Sequence, residues 1–202
     1  MLTVVKVGGG LGDDALPALC STLGELGQRH PLLVVPGGAS FADAVREADR
    51  RFGLRAETSH RMAILGMEQF GWLLSELIPG AVRSADLAPP GAGRATVLLP
   101  ATLPLDALPA SWDVTSDSIA AWVAAWVGAG RLALLKAVDD LDGRARLTVA
   151  ELAALPTGGV DAYLPTLLEG AQFETWVIGG RDPARLVELL ERGTTVGTRI
   201  GP

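Results

Sequence analysis

Lysine is scarce in this chain. Among its 17 basic residues only two are lysines, Lys6 and Lys136. Lys6 lies inside the apolar, β-branched run Thr3-Val4-Val5-Lys6-Val7, which ends in Gly8-Gly9-Gly10, and Lys136 follows Leu132-Ala133-Leu134-Leu135. Short apolar runs of this kind, bounded by glycine, read as buried strands. A lysine there needs a counter-charge or an anionic ligand, because an isolated buried ammonium is costly. Glycines at the strand end let the backbone approach a ligand and turn successive N–H groups toward it. A second unit repeats the arrangement, with Leu32-Leu33-Val34-Val35 followed by Pro36-Gly37-Gly38-Ala39. Two cations and two glycine turns suit phosphoryl transfer, where catalysis is mainly positioning and stabilisation of charge on the moving group. An acceptor that is already an anion needs no general base. Magnesium would then arrive on the nucleotide phosphates, with no dedicated protein site.

Other chemistries are excluded by their missing residues. No glycine precedes a lysine, so there is no P-loop. A dinucleotide fingerprint starting at Gly8 finds Gly10 in third place but Asp13 in sixth. No Gly-x-Ser-x-Gly elbow occurs. One cysteine and two distant histidines do not make a zinc site.

The elements that must carry these residues follow in chain order. Asp13 or Asp14 can cap a helix running to about Gly27, with Leu16, Leu19, Leu23 and Leu26 on one face. Ser40 with Asp43 resembles a capping box and opens the next helix. Thr58 to Ile78 reads as a long helix whose Met62, Leu65, Gln69, Trp72 and Leu73 share a face. His60 stands near its start; alone it reads first as a partly exposed first-turn histidine. A strand at Ala95–Leu99 and a proline-broken loop lead to Ser111-Trp112-Asp113-Val114-Thr115-Ser116-Asp117-Ser118. Thr115 or Ser116 can cap the helix that follows, with Ile119, Trp122, Val123, Trp126 and Val127 as its buried stripe. After the Lys136 strand come the turn Asp139–Gly143, helices at Val149–Leu155 and Val160–Gly170, a strand at Thr175–Gly180, a helix at Pro183–Arg192 and a last strand ending at Ile200. Alternating strands and helices predict an α/β fold with a mainly parallel sheet, ligands lying beyond the strands' C-terminal ends.

Composition agrees. A chain of 202 residues with 49% hydrophobic and 20% charged residues can bury one substantial core. A net charge of −6 argues against nucleic acid or an anionic membrane as the main partner. The single Cys20 allows no internal disulfide and suits a reducing cytoplasm. No signal peptide or membrane-spanning run is expected.

Val5-Lys6-Val7-Gly8-Gly9, Pro36-Gly37-Gly38, Thr115-Ser116-Asp117, Leu134-Leu135-Lys136-Ala137-Val138-Asp139 and Gly197-Thr198-Arg199-Ile200 together resemble the amino acid kinase family, which includes acetylglutamate, aspartate and uridylate kinases. The resemblance covers nearly the whole chain in order. It implies a single domain, 1–202, built as a three-layer αβα sandwich around an open, mainly parallel eight-stranded sheet. It implies ATP and Mg2+ as cofactors. Lys6 would stabilise the transferred group, Asp117 would orient Lys6 and Lys136, and Gly8, Gly9 and Gly10 with Lys136, Val138 and Asp139 would border the nucleotide. Gly37, Gly38, His60, Trp112, Thr115 and Ser116 would face the acceptor.

A narrower likeness is carried by Ser59-His60, Ser111-Trp112, Thr115–Ser118, Val160-Asp161 with Leu164-Pro165, and Gly180-Arg181-x-Pro183-x-Arg185. These resemble kinases of methanofuran biosynthesis, which convert [5-(aminomethyl)furan-3-yl]methyl phosphate to the diphosphate. The chain departs from the wider family at Gly10, where many members have serine, at Ala137 and Asp140, and at Tyr163, where many have a nucleotide-side lysine. Two other readings stand beside this one: a kinase for a carboxylate or nucleoside monophosphate, and a non-catalytic nucleotide or oxyanion binder on the same fold. The long helix carries more apolar residues than one stripe needs, so a homodimer burying it is expected.

Overall fold

The structure, a computed structural model, describes residues 1–91, 93–156 and 159–201. Its strands are β1 (Thr3–Val7), β2 (Leu32–Pro36), β3 (Val82–Ser84), β4 (Ala95–Leu98), β5 (Arg131–Lys136), β6 (Arg146–Leu147), β7 (Glu174–Gly179) and β8 (Thr198–Ile200). Its helices are α1 (Leu16–Arg29), α2 (Ala39–Phe52), α3 (Ala56–Leu77), α4 (Ser116–Trp126), α5 (Val149–Ala154), α6 (Leu164–Leu168) and α7 (Ala184–Arg192). The eight strands form one sheet in the order β3-β4-β2-β1-β5-β7-β8-β6, parallel except where β8 runs against β7. The expected fold class is the one observed. The strands the sequence did not mark, β3 and β6, are the two edges. They have three and two residues, too short to carry a periodic signal.

β1 is central and all five of its residues are buried. A strand covered on both faces reads as a continuous apolar run, which is why β1, β2 and β5 were legible. The two faces have separate cores. Val4, Leu33, Val35, Leu132 and Leu134 pack with α4 and α6, while Val5, Val7, Leu32, Val34 and Leu135 pack with α1 and α7. α3 serves both, giving Ile64 and Met67 to the first and Phe70 and Leu74 to the second.

Several local expectations are corrected. α1 begins at Leu16 with Pro17 in its first turn and no side-chain cap, so neither Asp13 nor Asp14 caps it. Proline there has a pre-set φ and no N–H to satisfy. α2 begins at Ala39 without a side-chain cap, and Asp43 pairs instead with Arg46 at 2.8 Å, so Ser40 and Asp43 form no capping box. The chain's capping box is Thr148 with Glu151, at the start of α5. On α3 the buried face is Ile64, Met67, Phe70 and Leu74; the Met62, Leu65, Trp72 and Leu73 stripe faces outward. On α4 Trp126 is exposed and stacks on the half-buried Trp122, with ring centres 5.2 Å apart. Ile119, Val123 and Val127 are buried as expected, and alanines 120, 121 and 124 share the buried face, which lets α4 sit close to the sheet.

Candidate active site

The sheet order reverses beside β1. β2 continues the chain on one side, and β5 returns to the other. That is the place where open α/β sheets bind ligands. Lys6 is on β1, and its register partner on β5 is Leu134. Lys136 lies two residues beyond Leu134, so both lysines project from the same face of the sheet. α4 packs on that face and brings Asp117 between them.

Asp117 is 2% exposed and Lys6 5%. Lys6 Nζ lies 2.9 Å from Asp117 Oδ1 as an ion pair rather than an aligned hydrogen bond. Lys136 Nζ donates to Oδ2 of the same carboxylate. Burial alone would raise the Asp117 pKa; the charges of Lys6 and then Lys136 overcome it and leave it at about 2. The Lys136 pKa is lowered, first by burial and then by repulsion from Lys6, against the attraction of Asp117 and Asp161. The two downward shifts have one cause: the anion is over-compensated and the cation under-compensated. Two cations share one anion, so the carboxylate is fully ionised and one positive charge is left over. That surplus, held in a poorly solvated site, calls for an anionic ligand.

A cleft of about 280 Å3 opens in front of Lys6 and Lys136. The glycine turns and the start of α2 form one wall of it. Gly9 and Gly10 begin a 3-10 turn, Gly9–Leu11, and a Cβ on Gly9 would lie 2.3 Å from Ala39 Cα. The two turns therefore abut backbone to backbone, which only glycine permits here. A Cβ on Gly10 would meet nothing within 4 Å, so packing does not explain that glycine. Ala39, the first residue of α2, has φ of 46°, a strained value for a residue with a side chain.

Gly9, Gly10, Gly38, His60, Trp112, Thr115 and Ser116, all expected site residues, line this cleft with the Lys6–Asp117–Lys136 triad. Gly8 and Gly37 lie behind it, their N–H groups bonded to the carbonyls of Leu135 at 3.2 Å and Val7 at 2.8 Å. His60 Nε2 is buried without a partner; burial lowers the imidazole's basicity, and a backbone bond at Ser111 opposes this. Trp112 is fixed from two sides. Its Nε1–H donates to Asp49 Oδ2 at 2.6 Å, and the Arg46 guanidinium lies 5.0 Å from its ring centre.

A second cleft, of about 330 Å3, opens between the β5–β6 loop and α5–α6. Val138 lines it, with Asp140, Leu141, Val160 and Asp161. Asp139 does not; its Oδ1 pairs with Arg185 Nη1 at 3.0 Å, close over Gly179, where a Cβ would come within 2.5 Å of that oxygen.

A model of the amino acid kinase family matches residues 1–172. The chain belongs to the amino acid kinase family. It is accordingly a phosphotransferase, a kinase of that family. It is 26% identical to the [5-(aminomethyl)furan-3-yl]methyl phosphate kinase of Methanocaldococcus jannaschii, over 98% of this chain and 96% of that protein. The fold is that of the uridylate kinase of Archaeoglobus fulgidus, with a TM-score of 0.78 at 20% identity over the full length of both chains. It is also that of the UMP kinase of Ureaplasma parvum, with a TM-score of 0.73 at 14% identity over 100% of this chain and 99% of that one.

Asp161 belongs to the Val160-Asp161 motif, whose local pattern assigns it no role. It caps α4 from outside that helix, replacing the Thr115 or Ser116 cap expected from sequence. Only its position beside Asp117 in space reveals this, because 43 residues separate it from Ser118. Among the described residues no group of three His, Cys, Asp or Glu could hold a metal ion, and no helix is long and apolar enough to cross a membrane.

Proposed function

We propose that this kinase transfers the γ-phosphoryl group of ATP to an anionic acceptor, and that the acceptor is a small ring-bearing phosphomonoester such as [5-(aminomethyl)furan-3-yl]methyl phosphate, giving the diphosphate. One observation carries the reading: a buried carboxylate shared by two lysines at the head of the first cleft. An acceptor phosphate oxygen bonds to the γ-phosphorus. The bond from that phosphorus to the β–γ bridging oxygen breaks, and its electron pair leaves with ADP. Negative charge on the equatorial oxygens in transit meets the surplus positive charge of the Lys6–Asp117–Lys136 group. Gly9 and Gly10 and the start of α2 hold the acceptor phosphate. His60, Trp112, Ile64 and Met67 give the first cleft an aromatic and apolar wall suited to a small ring. The second cleft, with Val138 and Asp140, takes the nucleotide. Gly8, Gly37 and Asp139 act behind these surfaces by shaping the turns.

Magnesium would enter on the nucleotide phosphates. Both oxygens of Asp117 face lysines, and those of Asp161 accept amides and hydroxyls, so neither buried-site carboxylate suits a cation. The enzyme would work in the cytoplasm, where ATP is supplied, and as a homodimer. The outward apolar stripe of Met62, Leu65, Trp72 and Leu73 on α3 is the face such a dimer would bury.

The test is incubation of the purified protein with ATP, magnesium and a panel of acceptors: the furanylmethyl phosphate, UMP, and free carboxylates. The expected result is ADP release with the furanylmethyl phosphate and a diphosphate signal in phosphorus NMR. Preference for UMP would move the acceptor to nucleoside monophosphates, and no ADP above the blank with any acceptor would leave only a binding protein.

A further inference from the structure

Asp161 makes more contacts than a helix cap needs. Its Oδ2 accepts from the Thr115 N–H, the Thr115 hydroxyl and the Ser118 N–H, each at 2.9 Å. Its Oδ1 accepts from the Ser118 hydroxyl at 2.5 Å and from the Leu164 N–H at 2.9 Å. One carboxylate therefore holds the starts of both α4 and α6. Its own N–H points at Asp117 Oδ2, 3.3 Å away, the oxygen that Lys136 also uses. Meanwhile Val160, Asp161 and Ala162 line the second cleft, and Thr115, Ser116 and Asp117 line the first. No other residue in the described chain lines one cleft and hydrogen-bonds to Asp117 in the other.

We propose that Asp161 is a positioning residue of the transfer centre, tying the loop of the second cleft to the helix start that carries Asp117 and so fixing the Asp117–Lys136 pair between the two clefts. The charged groups facing Lys136 are Lys6 from β1, Asp117 from α4 and Asp161 from the loop before α6. Asp161 stands outside the Lys6–Asp117–Lys136 group, its oxygens taken up by amides and hydroxyls, and its attraction favours the ammonium form of Lys136. A cap alone would stabilise α4 and leave Lys136 untouched. A positioning residue must also change the lysine's protonation and the turnover.

The kinetic part of this inference rests on the phosphotransfer reading, but a spectroscopic readout does not. The chain has only two lysines, so protein labelled with carbon-13 lysine gives two Cε signals, and Lys6→Arg assigns them. Asp161→Asn should lower the Lys136 titration midpoint by about half a pH unit or more. It should also lower kcat at least about fivefold, with the acceptor KM within about twofold of wild type. Ser118→Ala removes one donor to Asp161 and keeps the charge, so it should lower the melting temperature and leave the Lys136 midpoint in place. If Asp161→Asn does not accumulate as folded protein, Asp161→Glu takes its place. Its longer carboxylate keeps the charge but misses the donor set, so the Lys136 midpoint should hold while kcat falls. An Asp161→Asn protein with the wild-type Lys136 midpoint, or an Asp161→Glu protein with wild-type kcat, would reduce Asp161 to a helix cap. If wild type phosphorylates no acceptor, the kinase reading fails, and the lysine titration still decides whether Asp161 tunes Lys136.

Discussion

Asp117→Asn separates a structural role from an organising one. Asparagine is nearly isosteric and still favourable at a helix start, so a residue that only supported the helix dipole would tolerate it. The structure predicts a larger effect. The variant leaves two ammonium groups beside a neutral amide in a site where Lys6 is 5% exposed. Removing one partner of a buried ion pair costs about 3–5 kcal/mol. For a domain of this size each kcal/mol lowers the melting temperature by about 2–4 °C, so a drop of about 6–20 °C is expected at pH 7. From sequence alone, an organising role for Asp117 predicts an almost unchanged melting temperature; its burial between two cations alters that. The pH dependence has a definite sign. In the variant the Lys136 pKa, already lowered by burial and by Lys6, loses the opposing attraction of Asp117 and falls further below the unfolded value. The penalty is then present at pH below the folded pKa and is relieved as pH rises toward the unfolded value of about 10.4. The deficit relative to wild type should therefore be larger at pH 7 than at pH 10. Calorimetry on both proteins at the two pH values, with turnover at pH 7, is the assay. A variant melting within about 2 °C of wild type at pH 7, with turnover within about twofold, would refute the shared-carboxylate account.

Three further outcomes are expected. Lys6→Ala should keep the fold and lose turnover by about a hundred- to a thousand-fold, because one charge acting on the transition state contributes about 2.7–4 kcal/mol; steady-state kinetics within threefold of wild type would remove Lys6 from the chemistry. Gly9→Ala should destabilise by about 1–3 kcal/mol in a urea melt, because its Cβ would meet Ala39 at 2.3 Å, whereas Gly10→Ala, with open space, should melt normally and raise the KM for the acceptor. Leu65→Glu with Trp72→Glu should convert a dimer to a monomer in light scattering, and a monomeric wild type at micromolar concentration would dismiss the α3 interface.

The chain's sequence determined the fold class and the chemistry's raw materials. β1, β2 and β5 are buried on both faces, so their apolar runs are continuous and visible without a partner, and the glycines after β1 and β2 mark where the backbone must turn tightly. Scarcity singled out Lys6 and Lys136, because a chain that otherwise uses arginine has no surface reason to place lysine on two strands. What the sequence left open was everything set by register and by contact between distant segments. Lys6 and Lys136 meet because β1 pairs β5 with Lys6 opposite Leu134; a slip of one residue would put them on opposite faces of the sheet. Asp161 reaches α4 across 43 residues, and no local pattern encodes a cap supplied from another segment. The stripe on α3 shows the same division. Its spacing correctly predicted a helix, but Met62, Leu65 and Trp72 and the opposite row of Ile64, Met67 and Phe70 are both apolar. Periodicity gives a helix its faces; only the packed sheet decides which one it covers.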